Sequence, residues 1–365
     1  KAYNVLRFDN EAGFYMNKMD FGVAHPAVKF GESQPDPLSL PGVNIPTEIH
    51  YWGHYPVADL EYEIDAPINL GLRAWSPFIP GDIKTSTLPG AVFEVHIRNT
   101  SDDRHEGTVA FSFPGPTEEE AGSIRFQRAP VRGAFSGVTV KGKKASYSLG
   151  IVGDKEPRVG TDLGKNAILW KQVAERLPNE IGTTYTVPDI ADHSGPGIGP
   201  GASVAVDFNL DAGETEIVRF ILAWHAPEWR GGGSAADSET NTFYHMYTQN
   251  YMTEEHAAFA LAFNHESYLK RILAWQQTIY AEEALPVWMR EVLVNNFHLI
   301  TEVGMWAQVK APVGDWCKPE DGIWAQNESP RACPQLECGP NSYYGGMAVQ
   351  FFFPELTLST LRAYK

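Results

Sequence analysis

At 365 residues the chain is long enough to bury more than one hydrophobic core. Its 45 acidic residues against 29 basic ones leave a net charge of −16, which repels phosphate backbones and anionic lipid and argues against nucleic-acid or membrane-surface partners. No run approaches the roughly 20 apolar residues of a membrane-spanning helix, and the start at Lys1 leaves localisation open, cytoplasmic or secreted after signal cleavage.

Residues 1–250 carry period-two patterning. Leu60, Tyr62 and Ile64 form one alternating run; Phe93, Val95 and Ile97 form another, against Glu94, His96 and Arg98; Val109, Phe111 and Phe113 form a third. Each has the signature of a strand with one buried and one wet face. Val204, Val206, Phe208 and Leu210 lead through the Asp211-Ala212-Gly213 turn into Ile217–Trp224, which reads as a hairpin. Gly/Pro clusters punctuate these runs at the spacing of a large antiparallel β-sandwich. Gly195–Gly201 is a plain loop, because its prolines remove the N–H donors that a phosphate would need. Trp229–Ser238, with its Gly231-Gly232-Gly233-Ser234 run, reads as a flexible connection.

Residues 251–365 change to helical spacing. Thr253 is placed as an N-cap before Glu254 and Glu255, and Leu261, Tyr268, Ile272, Trp275 and Ile279 recur on one face. Pro286 ends that helix and opens a second, carried by Trp288, Val292, Leu299, Val303 and Trp306. A third is expected over Tyr344–Tyr364, still helical in pattern where the sequence stops, which suggests a fragment with an exposed apolar flank.

Between the second and third helices, Lys310–Ser342 forms a long loop. It holds Trp316, Trp324 and the carboxylates Asp315, Glu320, Asp321, Glu328 and Glu337. Carboxylates beside aromatic rings are what glycoside hydrolysis needs: one attacks or activates water, one donates a proton, and aromatic walls hold the sugar. Trp324 and Trp316 are therefore the candidate substrate-binding residues. Cys317, Cys333 and Cys338 also lie in this loop. A local Cys333–Cys338 bridge and three buried thiols both remain open. Zinc would need a distant fourth ligand, so no metal and no cofactor is expected.

Several blocks resemble glycoside hydrolase family 116, the family of β-glucosidases and non-lysosomal glucosylceramidase. They are Trp52-Gly53-His54-Tyr55-Pro56 with Leu60-Glu61-Tyr62, Trp75-Ser76-Pro77-Phe78-Ile79-Pro80 with Leu88-Pro89, Phe93 and Asn99-Thr100, and Phe220–Trp224. Leu285-Pro286, Trp288 and Asn295-Asn296-Phe297 follow, then Phe352-Phe353-Pro354-Glu355-Leu356 with Leu361-Arg362. The resemblance implies a multidomain β + α chain: a β-sandwich over 1–250, then the first helices of an (α/α)6 catalytic barrel over 251–365, apparently truncated. It implies a retaining β-glycosidase acting on a neutral β-linked sugar. Glu328, after Gly322-Ile323-Trp324, is the nucleophile candidate and Glu337 its rival. The family's acid/base Asp is expected beyond Lys365, and the remainder of the barrel in cis or as a second chain. Cys338–Tyr344 lacks an Asp that the family usually carries there. Two other readings keep the architecture: an inverting hydrolase or phosphorylase, and a non-catalytic carbohydrate-binding or scaffold module. Trp75, His54 and His225 are assigned core or interface roles rather than ligand contacts.

Overall fold

A computed structural model describes residues 46–164, 166–181, 199–230, 242–311, 315–329, 333–336 and 345–365. Its alternating runs become strands β1 (Glu48–His54), β2 (Val57–Glu63), β3 (Ile68–Trp75), β4 (Gly90–Asn99), β5 (His105–Phe113), β6 (Gln127–Val131), β7 (Phe135–Lys141), β8 (Ser146–Val152), β9 (Arg158–Gly160), β10 (Ala202–Leu210) and β11 (Thr215–His225). They form two antiparallel sheets, one of eight strands in the order β1-β2-β3-β4-β11-β8-β7-β6 and one of three in the order β5-β10-β9. The short helices α1 (Ile83–Ser86), α2 (Glu118–Ala121) and α3 (Ala167–Gln172) lie in the connections.

The inward positions of both sheets make one core. Leu60, Phe93, Ile97, Leu149, Phe220 and Leu222 of the large sheet share it with Phe111, Phe113, Val204 and Val206 of the small one. Phe111 bridges the layers, its ring centroid 4.8 Å from Phe93 and 5.6 Å from Phe220. Such burial, at about 25 cal/mol per Å2 of apolar surface, is the main term holding the sheets together.

This pairing corrects the expected hairpin. β10 hydrogen-bonds to β5 and β9, whereas β11 lies between β4 and β8. The Asp211–Gly213 turn thus carries the chain from one sheet to the other, and the apolar faces of its two strands meet across the core. Ala205, on the opposite face of β10, is buried as well, under Trp170, Val173 and Leu177. Glu94 is another departure, since its expected wet face is covered: it is only 4% exposed and accepts from Arg219 Nε at 2.8 Å.

The outer face of the large sheet is covered at one end by α4 (Glu254–Tyr280). Thr253 caps this helix as expected, accepting from the His256 N–H. Ala257, Ala258, Leu261, Ala262 and Ile272 pack on Val57, Trp75, Val92, Ile221 and Ala223. Small residues let the helix approach closely: a Cβ at Gly90 would stand 2.6 Å from Leu261 Cδ1. The sandwich and the start of the helical region therefore share a core across residue 250.

Beyond α4 the expected elements are broken into shorter ones. α5 (Val287–Asn295) and α6 (His298–Val303) replace the second helix, and Trp306 lies on strand β14 (Gly304–Ala307). The long loop contains strands β15 (Ile323–Ser329) and β16 (Cys333–Leu336), giving a small sheet in the order β14-β15-β16. The third helix is two, α7 (Gly346–Phe352) and α8 (Pro354–Ala363), because Pro354 cannot donate into a continuing helix and starts a new one instead. Trp229 also departs from expectation: it sits in β12 (Glu228–Arg230), paired with β13 (Thr242–Tyr244). The rest of that connection, and Gly195–Ile198 of the other loop, lie outside the described residues.

Candidate active site

β15 runs through the region where the carboxylates concentrate. Trp306 on β14 stands directly opposite Trp324. Farther along, Asn327 pairs with Leu336 and Ser329 with Cys333, so the register shifts at position 328. Irregularities of this kind bend a strand locally and recur beside active sites. Glu328 thus occupies the break in register near the end of β15, while its side chain and the whole of Glu337 lie outside the described residues.

Trp324 is 8% exposed, packed among Phe78, Phe297, Ile300, Val349, Phe353 and Leu356. Trp316 is 43% exposed, with the Lys365 ammonium 5.6 Å from its ring centroid. One candidate platform is therefore built into the core beneath the strand, and the other faces solvent. Asp315 and Glu320 are exposed, and Asp321 is tied to the Arg362 guanidinium. Cys317 is a buried free thiol; the Cys333 side chain and Cys338 lie outside the described residues.

Three features hold the start of β15. Gly322, at φ +63°, takes a left-handed conformation that glycine adopts without steric cost, while Trp306 Nε1 donates to the Asp321 carbonyl at 2.9 Å. Gly304 leaves room for the Trp324 ring, since a Cβ there would lie 2.0 Å from its Cη2. Ser359 and Thr360 of α8 bind the strand's backbone: the Trp324 N–H donates to Ser359 Oγ at 2.9 Å, Ser359 Oγ donates to the Gly322 carbonyl at 2.8 Å, and Thr360 Oγ1 donates to the Trp324 carbonyl at 2.8 Å.

The sandwich is joined to this assembly through the His54-Tyr55-Pro56 corner between β1 and β2. Gln276 of α4 donates to the His54 and Tyr55 carbonyls at 2.6 and 3.2 Å, and its Oε1 lies 3.1 Å from His54 Nδ1. The other ring nitrogen, Nε2, lies 2.9 Å from Asp59, which also receives two bonds from Arg73 at 2.7 and 3.1 Å. The Asp59 contact chiefly raises the His54 pKa above its usual value. For Asp59, burial acts upward but is outweighed by the His54 and Arg73 contacts, which bring its carboxyl down to about 2. Tyr55 donates its N–H to Asn295 Oδ1 at 3.0 Å, and its hydroxyl lies 2.7 Å from Thr301 Oγ1.

Phe78 completes the junction, with ring centroids 5.3 Å from Tyr55, 5.8 Å from Phe297 and 5.7 Å from Phe353. His54 thus has the interface role expected of it, and Trp75 a core role, at 2% exposure. Gln276, Ser359 and Thr360 had no sequence signal, because a polar residue in a helix gives no sign of which backbone groups it will meet.

Among the described residues, one trio has metal-ligating side chains close together, Glu48, His50 and Glu63 on the exposed β1–β2 hairpin, with His50 and Glu63 already bonded to each other at 2.9 Å. No described helix is long and apolar enough to cross a membrane.

Residues 16–271 match the family model described as beta-glucosidase 2, glycosyl-hydrolase family 116 N-term, which spans the described sandwich and runs into α4. Among solved structures, a protein described as a kojibiose phosphorylase from human microbiome is similar at 8% identity and a TM-score of 0.29, over 61% of this chain and 23% of its own length. A galactose mutarotase related enzyme from Lactobacillus acidophilus is similar at 9% identity and a TM-score of 0.22, over 49% of this chain and 71% of its own. The chain spans about a quarter of the length of that phosphorylase.

Proposed function

The chain belongs to glycosyl-hydrolase family 116, and from that premise we propose that it is the front part of a retaining β-glycosidase acting on β-glucosides, with Glu328 as nucleophile. Residues 1–250 are the supporting sandwich. Residues 251–365 open an (α/α)6 barrel whose remaining helices come from elsewhere in the polypeptide or from a second chain. The observation that carries the reading is the position of Glu328: the end of a short strand, at a break in register, on an element braced by the sandwich, α6, α7 and α8.

In this reaction a Glu328 carboxylate oxygen attacks the anomeric carbon. The glycosidic C–O bond breaks, and the leaving oxygen takes a proton from a second carboxylic acid, expected beyond Lys365. Water then attacks the glycosyl ester and gives its proton to that second group. The free sugar keeps its configuration and Glu328 is regenerated. Trp316, exposed and near Lys365, is the more accessible sugar platform. Trp324 supports the strand from below.

The barrel assignment draws support from exposed apolar side chains on the helices: Val287, Trp288 and Val292 of α5, Phe351 of α7, and Leu358 and Leu361 of α8. Exposed apolar side chains of this size on neighbouring helices are the kind that a protein contact covers.

The test is hydrolysis of an aryl β-glucoside by the full polypeptide, with the product anomer followed by NMR. First-formed β-glucose supports retention. First-formed α-glucose would replace the reading with inversion, and an absolute requirement for inorganic phosphate would replace it with a phosphorylase. Glycan binding without turnover would favour a binding module.

A further inference from the structure

Trp324 lies in a strand, yet its backbone groups are satisfied by a helix. Trp306 of β14 is its direct partner on one side, but the Trp324 N–H and carbonyl are both taken by α8 side chains. They therefore point to the other edge of β15, where, among the described residues, pairing with β16 begins at Asn327. Over this stretch Ser359 and Thr360 stand in for a neighbouring strand. Ser359 Oγ accepts from one residue of β15 and donates to the residue before the strand, while Thr360 supplies the donor for the carbonyl. Both are buried, at 1% and 7% exposure, so water does not compete for these bonds. Thr360 Oγ1 also lies 3.3 Å from the Leu356 carbonyl, a weaker alternative within its own helix.

The arrangement is specific to register. Sliding β15 by one residue would offer α8 the groups of residues 323 and 325, which point the opposite way, and would leave two buried hydroxyls unpaired. Nonspecific packing of an apolar helix on the strand would impose no such penalty.

We propose that Ser359 and Thr360 are positioning residues for the glycosidase reaction, locking the register of β15 so that the strand presents Glu328 at a fixed height. This rests on the assignment of Glu328 as nucleophile. Neither hydroxyl touches substrate; both act through the backbone of Gly322 and Trp324.

The test uses the full polypeptide and four variants: Ser359→Ala, Thr360→Val, Thr360→Ser, and Ser359→Ala combined with Thr360→Val. Each is assayed well below its own melting temperature, with kcat and KM on an aryl β-glucoside and the rate of covalent labelling by a cyclitol epoxide. Thr360→Val keeps the shape and loses the hydroxyl, whereas Thr360→Ser keeps the hydroxyl.

The expected result is a fall in kcat on the order of tenfold for Ser359→Ala and Thr360→Val, with KM within about twofold of wild type. The labelling rate falls in parallel, and Thr360→Ser stays near wild type. Lower melting temperatures with kcat and labelling rate unchanged, even in the double variant, would reduce the pair to structural hydroxyls and overturn the proposal. Peptide mapping of labelled wild type separates the two claims. Label away from Glu328 removes the nucleophile assignment and the positioning role with it, whereas label on Glu328 with unaffected variants removes the positioning role alone.

Discussion

Gln276 and His54 hold each other across the junction of sandwich and helix through two opposed contacts: Gln276 Nε2 donates to the His54 carbonyl at 2.6 Å, and Gln276 Oε1 faces His54 Nδ1 at 3.1 Å. Donation to the carbonyl fixes which amide atom faces the ring, so an acceptor stands at Nδ1. Asp59 is a second acceptor, at Nε2. Only the imidazolium, with both nitrogens protonated, satisfies both. Gln276 is 2% exposed, so Gln276→Leu would leave the His54 and Tyr55 carbonyls and a ring N–H short of partners. The expected cost is about 2–4 kcal/mol, read as a lower melting temperature. An unchanged melting temperature would show that the junction bears no load.

The same pair sets a pH dependence. His54 has a raised pKa in the folded protein, so its stabilising contribution is complete below the unfolded value of about 6.5 and is lost as pH rises through the folded one. His245 runs the other way: burial brings it down to about 4, and its contribution is present above about 6.5 and lost as pH falls toward about 4. Melting curves of His54→Gln should therefore lose part of the decline on the alkaline side, and those of His245→Gln part of the decline on the acid side. Profiles parallel to wild type would contradict both assignments.

Gly304→Ala is expected to disturb the strand assembly directly. The new Cβ would lie 2.0 Å from Trp324 Cη2 and 2.3 Å from the Ile300 carbonyl, and the backbone carbonyl cannot swing aside as a flexible side chain would. A loss of about 1–3 kcal/mol is predicted, with a changed near-ultraviolet circular dichroism from the displaced indole. A wild-type spectrum and melting temperature would mean that the ring has room the described packing denies it.

Phe78 tests the junction from the sandwich side. Its ring meets Tyr55, Phe297 and Phe353, so Phe78→Ala opens a cavity shared by both parts of the chain. A cost of about 3–5 kcal/mol is expected, with one cooperative transition becoming two if the sandwich and helices uncouple. Differential scanning calorimetry reads both effects.

Much of this was legible in local pattern. The alternation of Phe93, Val95 and Ile97 placed β4, and Thr253 with Glu254 and Glu255 placed the start of α4, because propensity, capping and burial agree there. The β10–β11 arch was not legible, since the Asp211–Gly213 turn suits a hairpin and a crossover equally and only tertiary packing decides between them. β15 was hidden for a different reason. Ile-Trp-Ala-Gln-Asn-Glu-Ser has no sustained alternation, and each of its partner strands is only four residues long. Of the candidate site, residue types and region could be read, whereas the bracing by Gln276, Ser359 and Thr360 depends on which backbone groups the fold brings within reach.

The role of Glu328 is tested most directly by peptide mapping of the full polypeptide after inactivation by a cyclitol epoxide. One stoichiometric ester on Glu328 is expected, with an inactivation rate that falls in the presence of a competing β-glucoside. Label on Glu337, or on neither residue, would contradict it.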